Sequence, residues 1–171
     1  MAPQVKAIPD GYHTMTPMLT VGDAARAIEF YKKAFDAQQL FRMDSPNGTV
    51  MHAELKVGNS IFMLGEENPQ TGCQSPASLK GTPTALYLYV ENADTAFNQA
   101  VSAGAKTEMP LSDMFWGDRG GSVIDPFGHR WWLATHKEDM TPDQIKQRAQ
   151  KFFAEQAKAG AQKPQPAGAN K

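Results

Sequence analysis

Residues 115–136 read FWGDRGGSVIDPFGHRWWLATH, and this stretch predicts the final hairpin of the fold. Residues 125–128, Asp-Pro-Phe-Gly, are typical of a tight turn, because proline presets φ at the second position and glycine tolerates a positive φ at the fourth. Val123 and Ile124 before the turn and residues 130–134 after it are bulky and favour two strands. One face of the returning strand carries Arg130 and the indole of Trp132. We expect this face to contact something other than the hydrophobic core.

A glycine-rich loop is predicted just before this hairpin, at residues 117–121. Trp116, Asp118 and Arg119 stand together in it. We expect this loop to hang over a binding cleft, where Asp118 and Arg119 either contact or gate a ligand or form an internal salt bridge that fixes the loop.

The composition excludes several classes of protein. The chain has 171 residues, enough for one domain or two small modules, and with 41% hydrophobic and 20% charged residues it can bury a core. A formal net charge of −1 does not provide the excess of positive charge that is typical of proteins that bind nucleic acid or an anionic membrane. The single cysteine, Cys73, fits a reducing compartment, and no apolar run suggests a leader or a span. The sequence predicts a cytoplasmic protein without nucleic-acid or membrane partners.

The first half of the chain predicts a β-α-β-β-β order over residues 12–65, after a loose lead-in at 1–11. Alternation over residues 13–21 favours a strand, and Asp23 is expected to cap a helix that runs to Phe35. Three further strands are predicted at 39–43, 49–57 and 60–64.

The second half, residues 83–137, repeats this order after a turn-rich connector at 66–82. Its helix is expected to begin at an Asp94 cap and to be terminated by Gly104. A shift of 69 residues places Val21 on Val90 (90 − 21) and also Met63 on Trp132 (132 − 63), which indicates an internal duplication.

These units predict an α+β fold of two tandem βαβββ modules whose curved mixed sheets surround a cleft. The connector leaves open whether the modules pair within one chain or exchange between chains. A capping box at residues 141–144 predicts a C-terminal helix over 141–159, followed by a disordered tail at 160–171. The narrow apolar stripe of this helix is expected to pack on its own domain or at a dimer interface.

Strand alternation predicts which side chains line the cleft. The inward positions are Thr14, Thr16, Met18, Val50, His52, Glu54, Ile61, Met63, Tyr87, Tyr89, Arg130 and Trp132. Tyrosine and tryptophan beside an arginine offer stacking and cation–π surfaces for a flat ligand. The alternative is that these aromatic rings and Met63 simply fill the interior.

His52 and Glu54 lie two residues apart on a predicted strand, so they point the same way about 7 Å apart. They are candidates for a relocated metal site or an acid/base pair. Ligand hydrogen bonding, or an ion pair with Lys56 or Arg130, is the alternative.

The paired modules, the DPFGHRW turn at residues 125–131 and MFWGDR at 114–119 together resemble the vicinal oxygen chelate superfamily, specifically its PhnB-like, glyoxalase/bleomycin-resistance branch. The resemblance covers about residues 12–136. The metal enzymes of that superfamily place one ligand in the first and one in the last strand of each module. Here those positions hold Thr16, Met63, Ala85 and Trp132, none of which suits zinc, nickel, iron or manganese.

The resemblance therefore implies a metal-free homodimer without a cofactor that sequesters a planar or aromatic small molecule. A second hypothesis is a metal-dependent lyase, isomerase or transferase with a relocated site built on His52 and Glu54. A third is a relative whose own side chains fill the cleft. The residues expected to bind the ligand are Thr16, Met18, His52, Glu54, Met63, Tyr87, Tyr89, Trp116, Asp118, Arg130 and Trp132.

Overall fold

A computed structural model describes residues 5–161, with side chains described as far as residue 158. The first half forms one four-stranded sheet with its helix. Its elements are β1 (Met18–Val21), α1 (Ala24–Phe35), β2 (Gln38–Asp44), β3 (Val50–Val57) and β4 (Ser60–Glu66). The strand order is β1-β4-β3-β2, with β1 parallel to β4 and the other neighbours antiparallel.

The second half repeats this arrangement. Its elements are α2 (Pro76–Leu79) in the connector, then β5 (Ala85–Tyr89), α3 (Ala93–Ser102), β6 (Lys106–Asp113), β7 (Asp118–Ile124), β8 (Arg130–His136) and α4 (Pro142–Ala161). The order β5-β8-β7-β6 matches that of the first sheet. The predicted α+β fold of paired βαβββ units with a C-terminal helix is confirmed.

The two sheets share one register. Met18 pairs with Met63 in the first sheet, and Tyr87 pairs with Trp132 in the second. Both partners are displaced by 69 residues (87 − 18 and 132 − 63), the shift that relates the two halves of the sequence. The predicted turn after β7 also forms, since the Gly128 N–H donates to the Asp125 carbonyl at 3.1 Å and Gly128 has a φ of +92°.

The core lies between the two modules. Helices α1 and α3 contact each other, and the helix-covered sides of both sheets share one apolar cluster. The buried carboxylate of Asp125 ties the halves together, because it accepts hydrogen bonds from Tyr31 of α1 at 2.7 Å and from the Trp131 indole at 2.9 Å. The uncovered faces of the two sheets are therefore directed away from this core and do not form a cleft with each other within one chain.

Three details of the predicted strands are wrong. The first strand begins at Met18 rather than at residue 13, so Thr14 and Thr16 precede it. Asp118 and Arg119 belong to β7 rather than to a loop, because residues 114–117 suffice for the turn and Asp118 pairs with His136. Val50 does not line the open face: the β2–β3 register shifts between Met43 and Asp44, which turns Val50 into the core.

Helix boundaries differ slightly from expectation. The side chain of Asn92, not Asp94, caps α3. The predicted terminator Gly104 follows the C-cap residue Ala103 with a φ of +116°, and the helix ends at Ser102. Helix α4 continues to Ala161, past the predicted end at 159. The predicted disordered tail beyond residue 161 and residues 1–4 of the lead-in lie outside the described residues. Among residues 5–161 there is no helix with the length and apolarity that a membrane crossing requires.

Candidate functional site

The open face of the second sheet carries an aromatic platform, which we define as Tyr87, Tyr89, Trp116 and Trp132. Tyr87 stacks on Trp132 with ring centroids 5.8 Å apart and planes 19° apart. Tyr89 lies 4.9 Å from Tyr87, and Trp116 lies 6.3 Å from Trp132. The tyrosines are 46% and 61% exposed, so they present ring surface on the open face instead of filling the interior of the chain.

One carboxylate, Asp118, organises the platform. It is only 3% exposed, and its Oδ2 accepts hydrogen bonds at 3.0 Å from the hydroxyls of Tyr87 and Tyr89 and from the indole of Trp116. Its Oδ1 lies 2.9 Å from Nδ1 of His136. Three rings from separate parts of the second module are thus fixed by a single acceptor group.

The electrostatics follow from this arrangement. Burial acts to raise the pKa of Asp118, but the hydrogen bonds from His136 and the platform outweigh it and lower the pKa below its ordinary value. Burial and the nearby carboxylate raise the pKa of both tyrosines, which therefore remain protonated donors at neutral pH. Hydrogen bonds to Asp118 and Asp139 raise the pKa of His136, favouring its cationic form.

Small residues beneath the rings leave room for the platform. Strand β8 lies between β5 and β7, so the tyrosine hydroxyls reach across it, and Ala134 leaves room because it carries only a methyl group. A Cβ at Gly120 would lie 3.0 Å from the Trp132 indole nitrogen and 2.8 Å from a backbone oxygen. The indole can therefore lie over Gly120. Its buried N–H has no hydrogen-bond partner in the part of the chain that the structure describes.

Arg130 lies on the same face but is held by a carboxylate. Its guanidinium forms a bidentate ion pair with Glu108, with N–O distances of 2.6–2.9 Å, and Ser122 donates a 2.8 Å hydrogen bond to the same carboxylate. The sequence left open an ion pair of His52 or Glu54 with Arg130. This pair is not formed, because Glu108 binds the guanidinium. Arg119, the other arginine nearby, binds Asp94 and Asp113 at the sheet edge, so for it the salt-bridge alternative is the one observed.

The open face of the first sheet presents a different chemistry. Met18 is 61% exposed and pairs with Met63, which lies beside Glu54 on β3. Nε2 of His52 lies 3.4 Å from Oε1 of Glu54, a weak contact between half-buried groups.

The lead-in crosses this face. Tyr12 lies beside Glu54, which raises the pKa of its hydroxyl to about 12 mainly through a hydrogen bond. Residues of the lead-in, with Thr16, Glu54 and Met63, line an open groove of about 530 Å³. Ile61, predicted to line the cleft, is buried near Gly11 of the same segment.

Comparison with known proteins decides the family. The sequence model of the Glyoxalase/Bleomycin resistance protein/Dioxygenase superfamily matches residues 13–133. The chain belongs to this superfamily. The predicted resemblance is confirmed at that level, and α4 lies outside the matched region.

Individual relatives agree with this assignment. Uncharacterized protein Rv0887c of Mycobacterium tuberculosis is 42% identical over 134 residues, which cover 77% of this chain and 79% of that protein. The crystal structure of TioX from Micromonospora sp. ML1 is similar with a TM-score of 0.60 and 30% identity, over 72% of this chain and 98% of that one. A PhnB protein from Bacillus cereus shares the fold with a TM-score of 0.57 and 22% identity, over 72% and 99% of the two chains.

The metal-ligand positions that the superfamily resemblance implies hold Thr16, Met63, Ala85 and Trp132, so they supply no imidazole, thiolate or carboxylate. Within one chain, the described residues contain no group of three or more His, Cys, Asp or Glu side chains arranged to hold a metal ion. The residues present at these positions therefore do not fit a superfamily metal centre.

The predicted ligand-binding residues separate into two groups. Tyr87, Tyr89, Trp116, Asp118 and Trp132 come together on the second sheet with Arg130 nearby, whereas Thr16, Met18, His52, Glu54 and Met63 lie on the first. Sequence reasoning missed three contributors, His136, Glu108 and Tyr12. The contact of His136 with Asp118 could not be predicted, because Asp118 was expected in a loop and pairs with His136 only as a strand residue.

Proposed function

We propose that the protein is a small-molecule-binding protein of the glyoxalase/bleomycin-resistance type that sequesters a planar or aromatic compound without a metal ion. The observation that carries this proposal is the aromatic platform held by Asp118. A ring system that is already ordered loses little conformational entropy when a flat ligand stacks on it. In the same proposal the protein acts in the cytoplasm, and sequestration of a toxic compound would give antibiotic resistance.

The proposed binding cleft is completed by a second copy of the chain. Within one chain the two open faces are directed away from the shared core, and both carry exposed apolar side chains such as Met18 and Tyr89. Pairing the first sheet of one protomer with the second sheet of its partner would place thioether groups opposite the platform. A homodimer would also cover strand β2, which is exposed along its whole length.

A metal-free site is supported by the donor set. At the four positions where the superfamily's metal enzymes carry their ligands, this chain provides hydroxyl, thioether, methyl and indole groups. Binding would then depend on stacking, on the Asp118 network and on the Glu108–Arg130 pair at the edge of the platform.

Fluorescence titration with 9-aminoacridine as a flat probe tests the proposal. Tyr87→Ala removes a half-exposed platform ring, and the lost stacking is expected to weaken binding about two- to tenfold. Leu79→Ala is the matched control, because Leu79 is 55% exposed on α2 and outside the platform. Equal binding by wild type and Tyr87→Ala would contradict the platform assignment.

Two further measurements test the rest of the proposal. Sedimentation equilibrium is expected to give a dimer; a monomer that still binds the probe would contradict the shared cleft. Elemental analysis is expected to find no stoichiometric metal, and a bound metal lost on His52→Ala would overturn the metal-free proposal.

A second candidate function is an enzyme that uses His52 and Glu54. The observation in its favour is Tyr12, whose hydroxyl joins that pair beside the groove under the lead-in. Imidazole, carboxyl and phenol groups are side chains that can hold and transfer a proton. Turnover in a panel of glyoxalase-type substrates that is lost in Glu54→Gln and retained in Tyr87→Ala would favour the enzyme.

A further inference from the structure

The aromatic rings of the platform continue without a gap onto the C-terminal helix. Phe115, next to Trp116 in the turn between β6 and β7, lies 4.8 Å from that indole in an edge-to-face arrangement. The same ring lies 5.4 Å from Phe152 and 6.0 Å from Phe153 of α4. The row therefore runs from Tyr89 through both tryptophans to two phenylalanines on a helix outside the superfamily region.

The far end of the row is open to solvent. Phe152 is 40% and Phe153 is 60% exposed although they touch each other and Phe115. Two adjacent phenylalanines with this exposure form an apolar surface that continues the proposed binding site instead of standing apart from it.

Helix α4 is held at a fixed place beside the platform. The carbonyl of Gly117 accepts hydrogen bonds from the backbone N–H groups of Lys137 at 3.0 Å and Glu138 at 3.1 Å. Arg148 of α4 then forms a bidentate ion pair with Glu138, with both N–O distances 2.7 Å. The turn that carries Phe115 and Trp116 is thus tied to the segment that leads into α4.

Close backbone contact makes this tie specific. Gly117 has a φ of +97°, and a Cβ there would lie 2.5 Å from the Glu138 carbonyl oxygen. Only glycine allows the turn to approach the segment before α4 so closely. The spacing between the platform and the phenylalanines is set before any ligand arrives.

We propose that Phe152 and Phe153 are specificity-determining residues that extend the ligand-binding surface, so that the protein prefers ligands with two linked planar ring systems. One ring system stacks on the platform, and the second covers Phe115, Phe152 and Phe153. This inference rests on the proposed small-molecule-binding function and names its ligand class. Two planar groups on one linker bind more tightly than one because the second binding event is intramolecular.

The test compares 9-aminoacridine with a bis-acridine in which two such rings are joined by a flexible alkyl diamine linker. Calorimetric titration of the full chain is expected to give one bis-acridine per platform, bound at least about tenfold more tightly than the single ring. The double variant Phe152→Ala/Phe153→Ala is expected to remove this advantage, so that it binds the bis-acridine no more tightly than it binds 9-aminoacridine. Lys151→Ala/Glu155→Ala, on exposed residues of the same helix, is the matched control and is expected to behave as wild type.

The outcomes separate the two proposals. Failure of wild type to bind 9-aminoacridine would overturn the proposed function and this inference with it. Binding of the single ring without an advantage for the bis-acridine, or an advantage that survives the double variant, would overturn the inference alone. If the double variant changes only the sedimentation mass, the phenylalanines cover a second copy of the chain, and the inference is again wrong.

Discussion

Removing the Asp118 carboxylate tests the organisation of the platform most directly. In Asp118→Ala, the hydroxyls of Tyr87 and Tyr89, the Trp116 indole and His136 all lose their acceptor. A hydrogen bond to a charged group contributes about 1.5–3 kcal/mol, but the partly exposed donors can turn to water. We therefore expect a loss of about 2–4 kcal/mol in the free energy of unfolding, well below the sum of the separate bonds.

Urea unfolding at pH 7, followed by far-UV circular dichroism, measures this loss. Asp118→Asn is the matched variant, because its amide keeps the shape and one acceptor oxygen while its NH₂ group faces donors; we expect it to lose about 1–2 kcal/mol. The near-UV spectrum of both variants should weaken as the rings lose their fixed orientation. An Asp118→Ala protein within about 0.5 kcal/mol of wild type would refute the reasoning.

The pH dependence of this difference has a definite sign. The pKa of Asp118 is lower in the folded protein than its ordinary value of about 3.9, so the carboxylate stabilises the fold above that pH. The stabilisation is lost as the pH falls through the folded pKa. The gap between wild type and Asp118→Asn should therefore close in acid, and it should also narrow as the pH rises through the raised pKa of His136, because the cationic imidazole loses its charge there. A gap that widens in acid would contradict the assignment.

Three other predictions follow from single contacts. Tyr31→Phe removes a buried hydroxyl from the Asp125 carboxylate and should lower the free energy of unfolding in urea by about 1–3 kcal/mol. An unchanged unfolding midpoint would contradict a stabilising role of this hydrogen bond between the modules. Gly117→Ala should lower the free energy of unfolding by about 2–4 kcal/mol, because the new Cβ would clash with the Glu138 carbonyl oxygen. Gly58→Ala, also at positive φ but in open space, should lower it by only about 1 kcal/mol. Equal losses would contradict the steric argument. His136→Gln should be less stable than wild type below about pH 6.5, with the difference lost as the pH rises through the raised pKa of His136; a gap that grows in base would refute this.

Local patterns predicted most of the fold. The Asp-Pro-Phe-Gly turn and strand alternation place Trp131 in the core and Trp132 on the open face, as observed. The 69-residue shift predicted which strands are equivalent, and the registers of β1–β4 and β5–β8 agree with it. These features depend on contacts within a few residues or on the repeat itself, so they can be recognised in one sequence.

The contacts that complete the site could not be predicted in the same way. Asp118 was expected in a loop because its neighbouring glycines are typical of one, yet those glycines serve close packing in a strand. The displacement of Val50 depends on a register shift across two strands, which no periodicity within β3 reveals. The Glu108–Arg130 pair joins residues 22 positions apart across β7, beside a register shift between Thr107 and Met109 of β6.

Different residues at equivalent positions of the two modules explain why only one sheet carries the platform. Positions related by the 69-residue shift hold Met18 and Tyr87, Thr20 and Tyr89, and Met63 and Trp132. The same backbone therefore presents flexible thioethers in one module and rigid rings in the other. Methionine adapts its shape to an irregular surface, whereas aromatic rings impose a plane. A cleft made from one sheet of each kind would hold a flat ligand by its rigid side and adjust to its substituents with the other, which two identical sheets could not do.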